Sequence, residues 1–408
     1  MTDRSNAAPS PRAGPILKYY LYVATQSAWF LTPVWTVFLL DQGLSYTQIG
    51  VLNGAWFAAI VFGEVPTGYL ADRIGRRNGL FLGALAQAVA VAVFGFLHSF
   101  AAILVLYVTW GVGSTFRSGS DSAWLYDTLQ EQLAEEEFTR IKGRGTAIQL
   151  VASGASAVAG GYLAGVDLYY PFLLSAVVIG IGGLVVLTIP ETAAFADGTA
   201  ERLTVTDALP VVRDTLFRPP LRRFVLYTTV TFALGWSIVT YTQPMALRLG
   251  FDAAGLGWLY AGFTVVSAVL ANAAERIERV VGVTNWVRTV PVVLGTLYVA
   301  TAFLPALAIP TFFAMRALLR TTTVLEQRYL NDRAAALGRA TVLSAASMVY
   351  SLARIPFRLV AGPLADRYSP VVAIGVMGAL LLFAMVLLRV RAPLTSASSG
   401  RVAPSSTD

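Results

Sequence analysis

Residues 68–77 read GYLADRIGRR, one acid and three arginines set between two long apolar runs at 46–70 and 78–97. Each run supplies close to the roughly 20 apolar residues that a helix needs to cross a hydrocarbon core of about 30 Å. A polar break this short between two such runs is a turn at a membrane surface. The alternation continues in both directions. Apolar runs recur at 16–40, 46–70, 78–97, 100–126, 145–166, 170–189, 222–247, 253–273, 283–304, 307–330, 338–362 and 370–390, which predicts twelve spans. The 408 residues are 56% hydrophobic and only 13% charged. Soluble domains carry about 25% charged residues, so a soluble enzyme, a disordered chain and a nucleic-acid binder all fit poorly. Pro33, Pro66, Pro244, Pro291 and Pro356 fall inside the runs, as membrane helices tolerate. The expected fold class is an all-α membrane protein with two pseudo-symmetric six-helix bundles.

The longest polar break divides the chain. Residues 1–15 and 393–408 are Ser/Pro/Ala-rich tails expected to be disordered and cytoplasmic, and 16–189 and 220–392 are the two bundles. Between them, 190–219 is a cytoplasmic linker with an amphipathic stretch at 205–217. The run after Lys18 is too long for a signal-peptide core and lacks a clear cleavage site, so it reads as a retained helix. The net charge of +7 is explained by position. With the N-terminus inside, 23 of the 30 basic residues fall in cytoplasmic segments, Arg248 and Arg367 fall outside, and five lie within spans. Cysteine is absent and His98 is the single histidine, so thiolate, disulfide and histidine-metal chemistry are excluded and no cofactor or metal is expected.

The two halves repeat. Gly43–Gly50 matches Gly250–Gly257, Ala71–Ile74 matches Ala274–Ile277, and Arg117 with Tyr126 matches Arg320 with Tyr329. Gly143–Thr146 matches Gly338–Thr341, and Asp167–Pro171 matches Asp366–Pro370. Transporters built from repeated halves hold substrate between them. By this register the GPLADR at 362–367 belongs to the outer loop between spans eleven and twelve, although it looks like a second copy of 68–73.

The loop at 68–77, with a glycine, then Ala-Asp-Arg, then Gly-Arg-Arg, resembles the signature loop of the major facilitator superfamily. Twelve spans in six-plus-six repeats extend that resemblance over the chain. It implies the major facilitator fold and a permease working by alternating access in the plasma membrane as a monomer. Its partners would be a small-molecule substrate, a coupled proton or counter-solute and the lipid bilayer, and not nucleic acid. It also implies a conformational latch at Gly68, Asp72, Arg73, Gly75, Arg76 and Asp127. There Asp72 sits at the N-terminus of span eleven, where the helix dipole favours an anion, and Arg76 pairs with Asp127. Arg73, Arg76 and Arg77 also read as positive-inside anchors. The flanking FGEVPTGYLADRIGRR and RSGSDSAWLYDTL are similar to a branch grouped loosely with drug exporters. Two departures count against standard proton antiport: Tyr107 stands where such antiporters carry an arginine before Gly111-Val112-Gly113, and Ser156-Ala157 replaces the Gly-Pro that precedes Gly160-Gly161.

Ionisable groups inside spans cost roughly 2.5–3.5 kcal/mol at a helix centre and are functional candidates by default. There are eight: Glu64, Arg117, Asp121, Arg316, Arg320, Glu326, Arg354 and Arg358. Guanidinium forks of Arg117 and Arg320 suit a carboxylate or phosphate. Alternatively, Arg117 and Asp121, four apart, neutralise one another. Glu64, Asp121 and Glu326 are candidates for carrying a proton, and Glu64 is equally a structural partner for an arginine. Arg354 and Arg358 either snorkel to outer headgroups or meet a ligand. Gln26, Trp29, Trp236, Tyr241 and Gln243 on spans one and seven, with Asp121 and Arg316, complete the candidate cavity. A membrane enzyme lacks a lysine within the spans for a Ser-Lys dyad, and a sensor lacks room for a soluble domain. What remains is transport, either of an organic anion or as proton-driven export of amphipathic compounds. The cysteine-free chain offers a direct topology test. In intact cells, a cysteine at His98 is expected to react with a membrane-impermeant maleimide, and one at Thr199 only after lysis.

Overall fold

The computed structural model describes residues 13–117, 120–131, 135–189, 191, 221–333 and 339–391. The tails, nearly all of the linker with its expected amphipathic stretch, and the side chain of Asp72 lie outside the described residues. Among those described there is no strand. The first half comprises α1 (Ala13–Ser27), α2 (Trp35–Asp41), α3 (Tyr46–Ile74), α4 (Arg76–Val93), α5 (Phe100–Arg117), α6 (Ser120–Glu131), α7 (Phe138–Ala164) and α8 (Tyr170–Leu187). The second comprises α9 (Leu221–Gly235), α10 (Thr242–Arg248), α11 (Ala253–Asn272), α12 (Ala274–Val281), α13 (Val283–Phe303), α14 (Ala308–Arg333), α15 (Arg339–Arg367) and α16 (Pro370–Arg391).

Nine stretches of the described residues are long and apolar enough to cross a membrane. The run at 307–330 forms the continuous α14 and that at 338–362 lies in α15, of 26 and 29 residues, whose arginines set them apart from the apolar nine. The first run is not one helix. It breaks at 28–34 between α1 and α2, and span seven breaks at 236–241 between α9 and α10. Pro33 lacks an N–H to continue the first helix, and Trp29 and Trp236 stand 207 residues apart at the two breaks. The repeat is also written in the backbone. The positive-φ glycines are Gly43, Gly75, Gly250 and Gly282, two pairs 207 apart, so each half makes the same two turns. At Gly75 (φ 96°) the turn of the 68–77 loop needs a residue without Cβ.

The end of the molecule that carries Arg73, Arg76, Arg77, Arg140, Lys142 and Arg144 is here called the basic end. At the opposite end the halves are drawn together. α3 packs antiparallel along α15, and α7 along α11. Gly161 and Gly257 let the second pair touch backbone to backbone. A Cβ on Gly161 would lie 2.6 Å from the Ala253 carbonyl oxygen, and one on Gly257 2.7 Å from that of Ala157. A Cβ on Gly154 or Gly165 of the same segment would meet no other helix.

Two side chains tie this end. Gln243 of α10 accepts hydrogen bonds from the N–H groups of Thr36 (2.6 Å) and Val37 (3.2 Å), and donates to the Thr32 carbonyl (2.8 Å) and the Tyr260 hydroxyl (2.9 Å). Asp366 accepts from the N–H groups of Tyr46 and Thr47 (2.8 Å each) and from the Thr47 hydroxyl (2.5 Å). GPLADR is therefore not a loop, as expected from the repeat, but the last turn of α15, and its aspartate caps the N-terminus of α3.

Asp366 lies beyond the membrane-spanning part of α15. Partial burial pushes its carboxyl upward, but the hydrogen bonds from Thr47 and Tyr46 outweigh this and hold it below the ordinary carboxylate range. Because the folded state holds the group below its unfolded value, its stabilisation is present above a pH of about 4. It is lost as pH falls through the lower folded value. Asp366→Ala is expected to cost about 1 kcal/mol at neutral pH, the scale of an exposed N-cap acid. Thermal melts should show this gap narrowing as pH falls from about 4 and closing below the lower folded value, where both forms lack the charge.

Candidate functional site

Between the halves lies a cavity of about 660 Å³. The two broken helices cover its closed end with Trp29, Thr32 and Trp236, and its lining runs toward the basic end as far as Thr146, Asn272 and Val324. α7 contributes Thr146, Gln149, Leu150, Ser153 and Ala157, and α11 contributes Tyr260, Phe263, Thr264, Ser267, Ala268, Ala271 and Asn272. Both sets recur every three or four residues, which is one face of a helix.

Three arginines enter this space. Arg117, in the last turn of α5, donates to the Gln26 carbonyl at 3.0 Å. Arg316 of α14 lies over the rings of Tyr260 and Phe263, 4.6 and 4.8 Å from their centroids, and its buried Nε has no hydrogen-bond partner. Arg320, one turn further on, lines the same space and is exposed to it. Among the described lining residues there is no aspartate or glutamate.

The carboxylates expected to compensate them go elsewhere. Asp121 is not in the lining. Lys142 stands 3.8 Å away, and the N–H and hydroxyl of Ser122 donate to the Asp121 carboxylate. Among the described residues no ion pair joins it to Arg117, whose guanidinium donates instead to the Gln26 carbonyl. Glu326 faces a separate cavity of about 140 Å³ inside the second half. There it accepts a hydrogen bond from Tyr350 (3.0 Å), whose oxygen is 3.0 Å from the Thr228 hydroxyl. Glu64 sits between α3 and α15, with the Ser344 hydroxyl 3.4 Å from its carboxylate.

Of the polar and aromatic candidates on spans one and seven, Gln26, Trp29 and Trp236 line the cavity. Tyr241 and Gln243 do not. Tyr241 is buried and donates to the Ala361 carbonyl at 2.6 Å, and Gln243 ties the closed end. Both belong to the structure that shuts the cavity because the break in span seven turns α10 toward α2. Arg354 and Arg358 neither snorkel nor enter this cavity. Arg358 is 8% exposed, and both guanidinium groups face Phe57 of α3, at 5.4 and 5.2 Å. Sequence reasoning missed the α7 and α11 linings, although the polar stripe Thr146, Gln149, Ser153 was available as a signal.

At the basic end, Arg76 pairs with Asp127 at 2.5 Å, and Arg73 lies over the Tyr69 ring at 4.5 Å. Both contacts stay within the first half. The Arg76–Asp127 pair is present while the opposite end is closed, so it does not by itself join the halves.

A family profile of the major facilitator superfamily matches residues 21–325, and the chain belongs to that superfamily. It is a multi-pass membrane protein of a transporter family. It is 25% identical over 257 residues to an uncharacterized MFS-type transporter, YxaM, of Bacillus subtilis, an alignment covering 61% of this chain and 62% of that one. The fold is shared with the nucleoside transporter NupG (TM-score 0.75, 12% identity, 92% of this chain and 97% of that chain). It is also shared with a bacterial homolog of the human lysosomal transporter Spinster in an inward-facing, unoccupied conformation (TM-score 0.66, 16% identity, 91% and 90%).

The Arg76–Asp127 pair is partly screened, with side chains 27% and 16% exposed. Asp127→Asn is therefore expected to lower stability by roughly 1 kcal/mol, between the values for exposed and buried pairs. A thermal melt should show Arg76→Gln in that background costing less than Arg76→Gln alone.

Proposed function

We propose that the protein is a secondary active transporter that moves a small organic anion by alternating access through the cavity between its two bundles. Arg117 and Arg320 are the primary anion-binding groups. The observation that carries this is the cavity lining, with Arg117, Arg316 and Arg320 and no carboxylate among the described residues. Guanidinium groups in a space of low dielectric attract carboxylates and phosphates and repel cations. That repulsion also weighs against the alternative, proton-driven export of amphipathic compounds, insofar as those compounds are cationic.

The basic end is the cytoplasmic side, by the excess of Lys and Arg in its loops, so the cavity faces the cytoplasm. We place the protein in the plasma membrane as a monomer with both termini cytoplasmic. Asp72 is the residue through which the basic end would close onto span eleven in the other state. Coupling uses a proton or a counter-solute. Glu64 and Glu326 are the carboxylates available for a proton, and both act at a distance from the cavity.

Purified protein in vesicles is expected to take up labelled organic anions. Arg117→Gln and Arg320→Gln should each reduce uptake at least about tenfold, the scale of one lost charge-assisted pair, with an unchanged melting temperature. Uptake of lipophilic cations without anions would contradict an anionic substrate. A rate indifferent to an imposed pH gradient would remove the proton role of Glu64 and Glu326.

A further inference from the structure

The cavity holds more positive charge than one carboxylate compensates. Its cations come from both walls, with Arg117 from the first bundle and Arg316 and Arg320 from the second. Their present partners are weak. Arg117 has a backbone carbonyl, Arg316 has two aromatic faces, and no hydrogen bond or ion pair engages Arg320 among the described residues. The acids nearest in sequence are engaged elsewhere, Asp121 with Lys142 and Glu326 with Tyr350.

Alternating access requires an intermediate in which both ends are shut and water is largely expelled. In that state uncompensated charge is most costly. A monoanion would leave two guanidinium groups without a counter-charge. Two negative charges would answer Arg117 and Arg320, leaving Arg316, the one arginine already seated on two aromatic rings. The closed end adds Trp29 and Trp236, equivalent in the repeat, as flat apolar surfaces.

From this charge count, and resting on the transport of an organic anion proposed above, we infer that the substrate is an organic anion with at least two negative charges on a ring or hydrocarbon body. Dicarboxylates and phosphate monoesters share that chemistry. The charges engage Arg117 on one bundle and Arg320 on the other, so a bound dianion draws the two walls together, while a monoanion satisfies one wall only.

The test is a binding series on one ring, measured by titration calorimetry with the purified full-length protein. The ligands are phthalate, phenyl phosphate, benzoate, benzyl alcohol and benzylamine, at about pH 8, where a phosphate monoester carries nearly two charges. Phthalate or phenyl phosphate, or both, are expected to bind at least about tenfold more tightly than benzoate, the step given by one further charge-assisted pair. Which of the two leads assigns the source of the charge. Arg117→Gln and Arg320→Gln should each erase that preference. Should a glutamine variant fail to fold, the lysine variant, which keeps the charge, is expected to retain the preference. Benzoate binding as tightly as both dianions would overturn the dianion inference and leave organic-anion transport standing. Binding of benzylamine or benzyl alcohol in preference to every anion would overturn both. Failure of both dianions to bind at millimolar concentration would overturn the inference as well.

Discussion

A guanidinium group taken out of water needs a partner, and the centre of this protein holds three without a carboxylate in the same described lining. That constraint organises much of the rest. The membrane charges are sorted by place. Three arginines line the cavity between the bundles, two more lie between α15 and Phe57, and the carboxylates Glu64, Asp121 and Glu326 are held outside the cavity by Ser344, Lys142 and Tyr350. Within the bilayer such sorting is expensive, roughly 2.5–3.5 kcal/mol for each charge at a helix centre. The surrounding packing offsets it, and a counter-charge brought by a ligand would relieve it.

The opposite end of the molecule supplies the other half of the device. Its closure adds short polar contacts and close backbone approach to the apolar packing of Val34, Ala157 and Ala164 against the second half. Gln243 binds both the carbonyl and the N–H groups exposed by the break in span one, because interrupted helices leave backbone groups without intrahelical partners. Asp366 does the same for the first turn of α3. Contacts of this kind are individually modest and can be released together, as an element that must open and close requires. The Arg76–Asp127 pair lies within one bundle and is formed while the opposite end is closed.

Much of the fold could be read from the chain. Hydrophobic length and the GYLADRIGRR loop gave the helical membrane class and the superfamily, and the repeat reappears in the backbone as Gly43 with Gly250 and Gly75 with Gly282, each pair 207 residues apart. The site was legible where a charge stood alone in an apolar run, as at Arg117, Arg316 and Arg320. It was not legible where geometry depended on a break. A run of apolar residues does not reveal that span seven stops at Gly235 and resumes at Thr242, so Gln243 and Tyr241 looked like cavity residues rather than parts of the closure. Sequence spacing alone also paired Arg117 with Asp121, whose carboxylate instead accepts from Ser122 with Lys142 3.8 Å away. The α7 stripe was visible as the periodic polar positions Thr146, Gln149 and Ser153, but nothing in the sequence alone says which face of a span meets the cavity.

On the proposed function, one cavity, shut at the far end by Gln243 and Asp366, is reached from the basic side and closes around an anion. A single cysteine at Ser153 in this cysteine-free chain tests it directly. A membrane-impermeant maleimide is applied to right-side-out and inside-out vesicles, with and without phenyl phosphate. Labelling is expected in the inside-out vesicles, with strong slowing by phenyl phosphate and much weaker labelling from the other face. Equal labelling from both faces, or labelling from the basic side that phenyl phosphate leaves unchanged at saturating concentration, would contradict it.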